Sequence, residues 1–236
     1  MCGRFTLTVD PGELQAAFPG FTFPEKYHPR YNIAPSQPIM AIPNDGKNAA
    51  DFFIWGLIPV WAKDPTIGSR LINARAETLA EKSSFRGAYK YKRCLVLANG
   101  FYEWRTQHGS KQKIPYYISL ASGKPFAFAG LWDEWLSPDG SQVKSCSIIT
   151  TEPNEMMAEL HSRMPVILPS FGYSEWLDTG SQKPEALQKW LAPYPSSEMT
   201  AYPVSTLVNS PSNDRSELLD HIPADKSSRD PMNDFS

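Results

Sequence analysis

The sequence predicts a single mixed α+β domain built on a curved, barrel-like antiparallel β-sheet with short helices at its periphery. Three observations carry that reading. Short alternating or β-branched runs recur along the chain, bounded by Gly, Pro, Asn and Asp. Proline reaches 22 of 236 residues, against a typical content of about 5%, and it breaks helix interiors and central strands into short pieces. Strand and helix patterns do not alternate as in a doubly wound sheet, and no internal repeat is visible.

The elements follow in chain order. Residues 3–9 alternate with period two and predict a strand. Asp10-Pro-Gly-Glu13 then offers an N-cap, a proline at the first helical position and an acid at the third, and Leu14, Ala17 and Phe18 complete a short amphipathic helix. Residues 19–38 read as a long loop rich in proline and aromatics. Residues 39–43 and 51–55 predict a hairpin around Asn44-Asp45-Gly46. Short helices or turns are expected at 72–80 and 83–89. Successive strands are expected at 94–98, 101–104, 115–120, 126–131 and 143–150. A helix over about 154–160, with Thr151 as its N-cap, a second helix at 184–191 and a strand at 200–204 complete the domain, which spans 1–222. Residues 223–236 read as a polar, loose tail.

Composition narrows the function. A hydrophobic fraction of 41% and a charged fraction of 20% exclude wholesale disorder. No apolar run is long enough to span a bilayer, and no signal-peptide core follows Met1, so a soluble intracellular protein is expected. Three cysteines (Cys2, Cys94, Cys146) without any C-x-x-C make neither a disulfide framework nor a zinc site, and with four histidines no metal and no cofactor are expected. The near-neutral total hides an asymmetry. Residues 61–116 hold eleven basic side chains against four acidic ones, which points to an anionic ligand on one face or to a solvated surface segment.

Several residues could carry chemistry. Removal of Met1 would leave Cys2 with a thiol and an α-amine on adjacent carbons, whose ordinary pKa values of about 8.5 and 7.7–8.0 leave useful reactive fractions near neutral pH. Such an aminothiol forms an imine with an aldehyde and then closes to a thiazolidine; alternatively Cys2 is a small residue that happens to follow the initiator. Glu103, between Tyr102 and Trp104, is either a buried carboxylate of raised pKa suited to proton transfer or an exposed position on an alternating strand. His161 suits proton shuttling or a sugar hydroxyl, or is structural. Asn73 and Arg75 can meet a phosphate or cap a turn. Aromatics interleave with the basic window as in single-strand binding sites. Most of them read as core, and Trp55 and Trp61 are the best candidates for exposure.

Taken together, these segments resemble the SRAP (SOS-response-associated peptidase) family of abasic-site processing proteins. The resemblance rests on Cys2-Gly-Arg-Phe5, Tyr31-Asn-Ile-Ala-Pro35, Trp55-Gly-Leu-Ile-Pro-Val-Trp61 and Ile72-Asn-Ala-Arg-Ala-Glu-Thr78. It continues through Ser84-Phe-Arg86, Arg93-Cys94, Gly100-Phe-Tyr-Glu-Trp104, Leu160-His-Ser-Arg-Met-Pro165 and Pro203-Val-Ser205, in family order. It implies a DNA-damage response protein that binds single-stranded DNA and crosslinks covalently to abasic sites through Cys2, shielding them. It also implies lyase and self-processing peptidase character. Asn73, Glu103 and His161 map onto the family's other catalytic positions, and Arg4, Asn32, Trp61, Arg75, Thr150 and Arg163 onto its DNA contacts. A monomer is implied, cytoplasmic and nucleoid-associated when crosslinked, with abasic single-stranded DNA as partner and no membrane. Asn99 departs from the aspartate usual before Gly100, which touches a supporting contact rather than Glu103. Two rivals from other classes are an N-terminal-nucleophile amidohydrolase, which needs more helix than this chain supplies, and a non-catalytic reader of single-stranded or modified DNA.

Overall fold

The computed structural model describes residues 2–107, 113–178, 180 and 183–222; the expected tail at 223–236 lies outside the described residues. Its strands are β1 (Phe5–Leu7), β2 (Arg30–Ile33), β3 (Pro38–Pro43), β4 (Asp51–Trp55), β5 (Asn73–Arg75), β6 (Arg93–Ala98) and β7 (Gly100–Thr106). They continue with β8 (Lys113–Leu120), β9 (Phe126–Leu136), β10 (Gln142–Thr151), β11 (Met164–Pro165), β12 (Ile167–Leu168) and β13 (Met199–Pro203). The α-helices α1 (Pro11–Ala17), α2 (Arg86–Tyr91), α3 (Glu155–Ala158) and α4 (Tyr173–Leu177) are short and peripheral, and Pro184–Leu191 is a 3₁₀ helix.

The strands form two sheets. One runs β13-β8-β7-β1-β2, antiparallel throughout. In the other, β10-β4-β3-β6-β9 closes on itself because β9 also pairs with β10, giving the barrel that the alternating strands predict. Its seam is the exception to the antiparallel expectation: β10 runs parallel to β4 and to β5. Phe5 joins the two sheets, its ring edge-on to Trp55 at 5.1 Å and to Phe128 at 5.8 Å. These buried rings replace water with close-packed apolar contact, the main favourable contribution to folding. On the outer face of the open sheet, Tyr102, Tyr117, Val204, Val208 and Leu218 form a second, smaller core.

Local chemistry explains the ends of elements. Asp10 accepts the Glu13 N–H at 2.9 Å and Glu13 accepts the Asp10 N–H at 3.0 Å, the reciprocal cap that starts α1. The helix after β10 starts within a residue of the expected position but has a different cap: Thr151 still belongs to β10, where it pairs with Met164, and Asn154 caps α3 by accepting the Met157 N–H at 2.8 Å. Residues 73–75, expected to be helix or turn, are the strand β5, because parallel pairing with β10 outweighs local helix propensity. Residues 30–33, read as loop, are the edge strand β2. Gly56 has φ +133°, and a Cβ there would stand 2.5 Å from the Gly68 carbonyl oxygen, so glycine alone permits this close crossing of backbones.

Candidate active site

Sheet register brings the N-terminus to Glu103. Phe5 lies opposite Phe101 and Thr6 opposite Gly100, so β1 read backward toward Cys2 meets β7 read forward toward Glu103. Cys2 has no exposed surface and Glu103 only 3%. The thiol of Cys2 accepts a hydrogen bond from the Arg4 backbone N–H and feels the Glu103 carboxylate. Asn73 approaches from β5 and donates Nδ2 to the Cys2 carbonyl at 2.8 Å, while its Oδ1 is buried with no hydrogen-bond partner among the described residues.

Three kinds of group act on the Cys2 thiol. Burial first, and the Glu103 negative charge second, push the Cys2 thiol well above the ordinary thiol range; the positive charge of the chain terminus and the Arg4 N–H lower it without offsetting them. This shift belongs to the chain with Met1 attached, whereas the thiolate fraction expected above belongs to a chain that begins at Cys2.

The far end of β10 gathers the next group. Asn73 lies opposite Ile148 and Arg75 opposite Thr150, while Pro165 of β11 also pairs with Thr150. Alternation along β5 puts Asn73 and Arg75 on one face and buries Ala74 on the other. Arg75 is exposed. Thr150 is fully buried, and its carbonyl accepts Arg163 Nη2 at 2.6 Å. Arg163 also grips Glu77 with two bonds of 2.7 and 3.0 Å, and that guanidinium holds the Glu77 carboxyl below its usual range. Sequence reasoning missed Glu77; its signal was an acid inside the most basic window. His161 follows α3, and its Nδ1 lies 3.0 Å from the Arg163 backbone N and 3.2 Å from the Arg163 carbonyl oxygen.

Arg4 and Asn32 face inward. Arg4 donates to Asn32 Oδ1 at 2.9 Å and to the Val208 and Asn209 carbonyls at 2.7 and 3.1 Å. Asn32, expected at the DNA, has no exposed surface, and its Nδ2 is directed to the carbonyls of Val208, Ser210 and Asn213. In this fold it holds Arg4. Asn99 ties β7 to β1: its Oδ1 accepts from Thr6 Oγ1 at 2.9 Å and the Thr8 N–H at 3.0 Å, and its amide donates to Thr8 Oγ1 at 2.7 Å, a bond no carboxylate could donate.

The aromatic and basic expectations divide. Trp61 is 54% exposed and borders a groove with Ser84, Arg86, Tyr91 and Lys92. Trp55, expected at the surface, is fully buried and donates Nε1 to the Ile72 carbonyl at 2.9 Å. Arg93 is buried too, its guanidinium taken up by carbonyls of Trp176, Tyr89, Lys90 and Asp178, and Lys92 pairs with Asp133 at 2.6 Å. The usable positive surface is thus smaller than the residue count implied. Among the described residues, no group of three His, Cys, Asp or Glu side chains is placed to hold a metal ion, and no helix is long and apolar enough to cross a membrane.

Known proteins resemble this chain in sequence and in fold. The family model described as "SOS response associated peptidase (SRAP)" matches residues 1–211. The abasic site processing protein YoqW of Bacillus subtilis (strain 168) is 50% identical over 223 residues, covering 93% of this chain and 99% of that protein. The abasic site processing protein HMCES of Rattus norvegicus is 32% identical over 274 residues, covering 95% and 76%. A crystal structure of a protein from Bacteroides thetaiotaomicron superposes with a TM-score of 0.84 at 28% identity, covering 94% of this chain and all of that one.

Proposed function

This chain belongs to the SOS response associated peptidase (SRAP) family, and we propose that it processes abasic sites in single-stranded DNA by capturing the sugar aldehyde on Cys2. The observation that supports this reading best is the Cys2 thiol sealed beside the Glu103 carboxylate, with its carbonyl gripped by Asn73.

Self-processing removes Met1 and frees the α-amine of Cys2. The opened deoxyribose presents an aldehyde, which the amine attacks to give a carbinolamine. Loss of its hydroxyl as water gives the imine. The thiol then adds across the C=N bond: a C–S bond forms, and the thiol proton reaches the ring nitrogen by way of Glu103. One water leaves overall and nothing is oxidised. The amine acts first and the sulfur second, because the thiol needs the C=N bond to add to. The His161 ring meets a hydroxyl of the opened sugar, Asn73 fixes the Cys2 main chain, and the exposed Arg75 meets a flanking phosphate. Trp61 stacks on a neighbouring base. Lyase release would run back through the same imine.

The test is incubation with an abasic single strand, followed by a denaturing gel and intact mass. The expected product is a heat- and detergent-stable adduct, lacking Met1, of mass protein plus strand minus one water. Cys2→Ala should give an adduct that borohydride traps but that falls apart without it, since an imine forms and no ring can close. Absence of any adduct would overturn the reading in favour of a DNA reader or an amidohydrolase, and wild-type stability in Cys2→Ala would overturn the role of the Cys2 thiol.

A further inference from the structure

The segment after β13, residues 204–222, packs back across the outer face of the open sheet through Val204, Val208 and Leu218. Part of it lies beyond residue 211, where the family match ends, yet it reaches the site by a continuous chain of polar contacts. Asp214 bonds Arg30 and accepts the backbone N–H groups of Tyr31 and Asn32, the latter at 3.0 Å. These belong to β2, the edge strand, so a carboxylate of this segment takes up N–H groups that no strand pairs with. The Asn32 side chain so placed accepts Arg4 Nη1 at 2.9 Å, and the same segment supplies Arg4 with the Val208 carbonyl at 2.7 Å. Arg4 in turn donates its backbone N–H to the Cys2 thiol and accepts the Tyr102 N–H at 3.0 Å, one residue from Glu103.

We propose that Asp214 is a positioning residue for the nucleophile: it fixes β2 and Asn32, which fix Arg4, which holds the Cys2 thiol against Glu103. The proposal rests on the capture reaction for its functional consequence but not for its structural one. Charge-assisted bonds to main-chain N–H groups are among the stronger hydrogen bonds, so a neutral amide that presents donors as well as acceptors should loosen the whole chain of contacts.

The experiment compares wild type with Asp214→Asn in two arms. The first labels the folded protein with iodoacetamide and follows Cys2, Cys94 and Cys146 separately by mass spectrometry. Selective labelling of Cys2, faster by about tenfold, is expected from the loss of one such bond, with Cys94 and Cys146 unchanged. The second follows adduct formation at a saturating abasic strand, where a slowing of about tenfold is expected with affinity for an intact strand held within about twofold. Unchanged Cys2 labelling overturns the proposal. Labelling of all three cysteines together overturns it as well, because Asp214 would then serve overall stability. If wild type itself forms no adduct, the capture reading fails while the labelling arm still decides the positioning role. Arg30→Gln, which frees the Asp214 carboxylate to turn away from β2, should shift Cys2 labelling in the same direction and serves if Asp214→Asn does not fold.

Discussion

Asn73 donates its side-chain amide to the backbone carbonyl of Cys2 at 2.8 Å, joining a strand on the barrel seam to the first residues of the chain. The contact matters because a chain terminus is otherwise the most mobile part of a domain. Asn73 commits its donor to the Cys2 backbone and keeps a buried acceptor, Oδ1, without a partner among the described residues. An unsatisfied buried acceptor is costly, so a donor that reached Asn73 Oδ1 would gain a hydrogen bond at little further cost.

Asn73→Ala should therefore slow adduct formation by about tenfold, the worth of one hydrogen bond, while leaving affinity for an intact single strand nearly unchanged. Asn73→Asp should be at least as slow, since a carboxylate oxygen would face the Cys2 carbonyl. Time courses at saturating strand measure both. Wild-type rates in either variant would remove Asn73 from the site.

Alkaline pH should destabilise the protein in a defined window. Burial raises the thiols of Cys2, Cys94 and Cys146 above their ordinary range. A raised folded pKa means that the native state keeps protons the unfolded state has lost. Stability is then full below the unfolded thiol pKa of about 8.5 and falls above it, by up to about 1.4 kcal/mol per pH unit for each thiol. Buried tyrosines such as Tyr117, pushed up to about 12, extend the decline. Urea unfolding between neutral and alkaline pH measures the slope, and Cys146→Ala should flatten it. A stability independent of pH across this range would contradict the burial of these thiols.

How much of this was legible varies with the range of the interaction. The α1 cap lies within four residues, Asp10 to Glu13, and was readable. The edge strand β2 was not, because its N–H groups are satisfied by Asp214, more than 180 residues away. The β5 segment carries helix-compatible residues, and only its parallel partner β10 makes it a strand. Residue types at the site were legible as chemistry: a second-position cysteine, a carboxylate among aromatics, an Asn and Arg two apart. Their meeting is set by the register of Phe5 against Phe101, which no local pattern encodes. Trp55 and Trp61 look alike in sequence, yet Trp55 sits on a strand at the junction of the two sheets and Trp61 on the connection beyond it.

Strand binding should depend on few side chains. Arg75 and Trp61 are exposed, whereas Arg93 is buried and Lys92 is paired. Arg75→Ala should weaken binding to abasic and intact strands alike and reduce the dependence of log affinity on log salt by about one phosphate contact. Trp61→Ala should weaken binding by about 1–3 kcal/mol with the salt slope unchanged, because stacking releases no counterions. Titration at several salt concentrations separates the two; equal slopes in Arg75→Ala and wild type would refute the phosphate contact.

Glu103 should reveal itself by two effects of opposite sign. It is 3% exposed, so its replacement should leave contacts with an intact strand untouched. Glu103→Gln keeps the side chain's shape but cannot carry a proton. Water must leave the carbinolamine and the thiol must give up its hydrogen on ring closure, and general acid–base help of this kind is worth roughly a hundredfold or more, so adduct formation should slow by about that factor. The same substitution removes a negative charge that raises the Cys2 thiol. The thiol should then ionise at a lower pH, only part of the way back to its ordinary value, because burial is the larger cause and remains. Alkylation of Cys2 across a pH series should accordingly begin earlier in Glu103→Gln than in wild type, while capture of the aldehyde is slower. A residue that merely packed against the terminus would shift both in the same direction, by exposing or covering the thiol. A more reactive sulfur joined to a slower crosslink is the signature of a carboxylate that moves protons; a parallel change in both would assign Glu103 to packing.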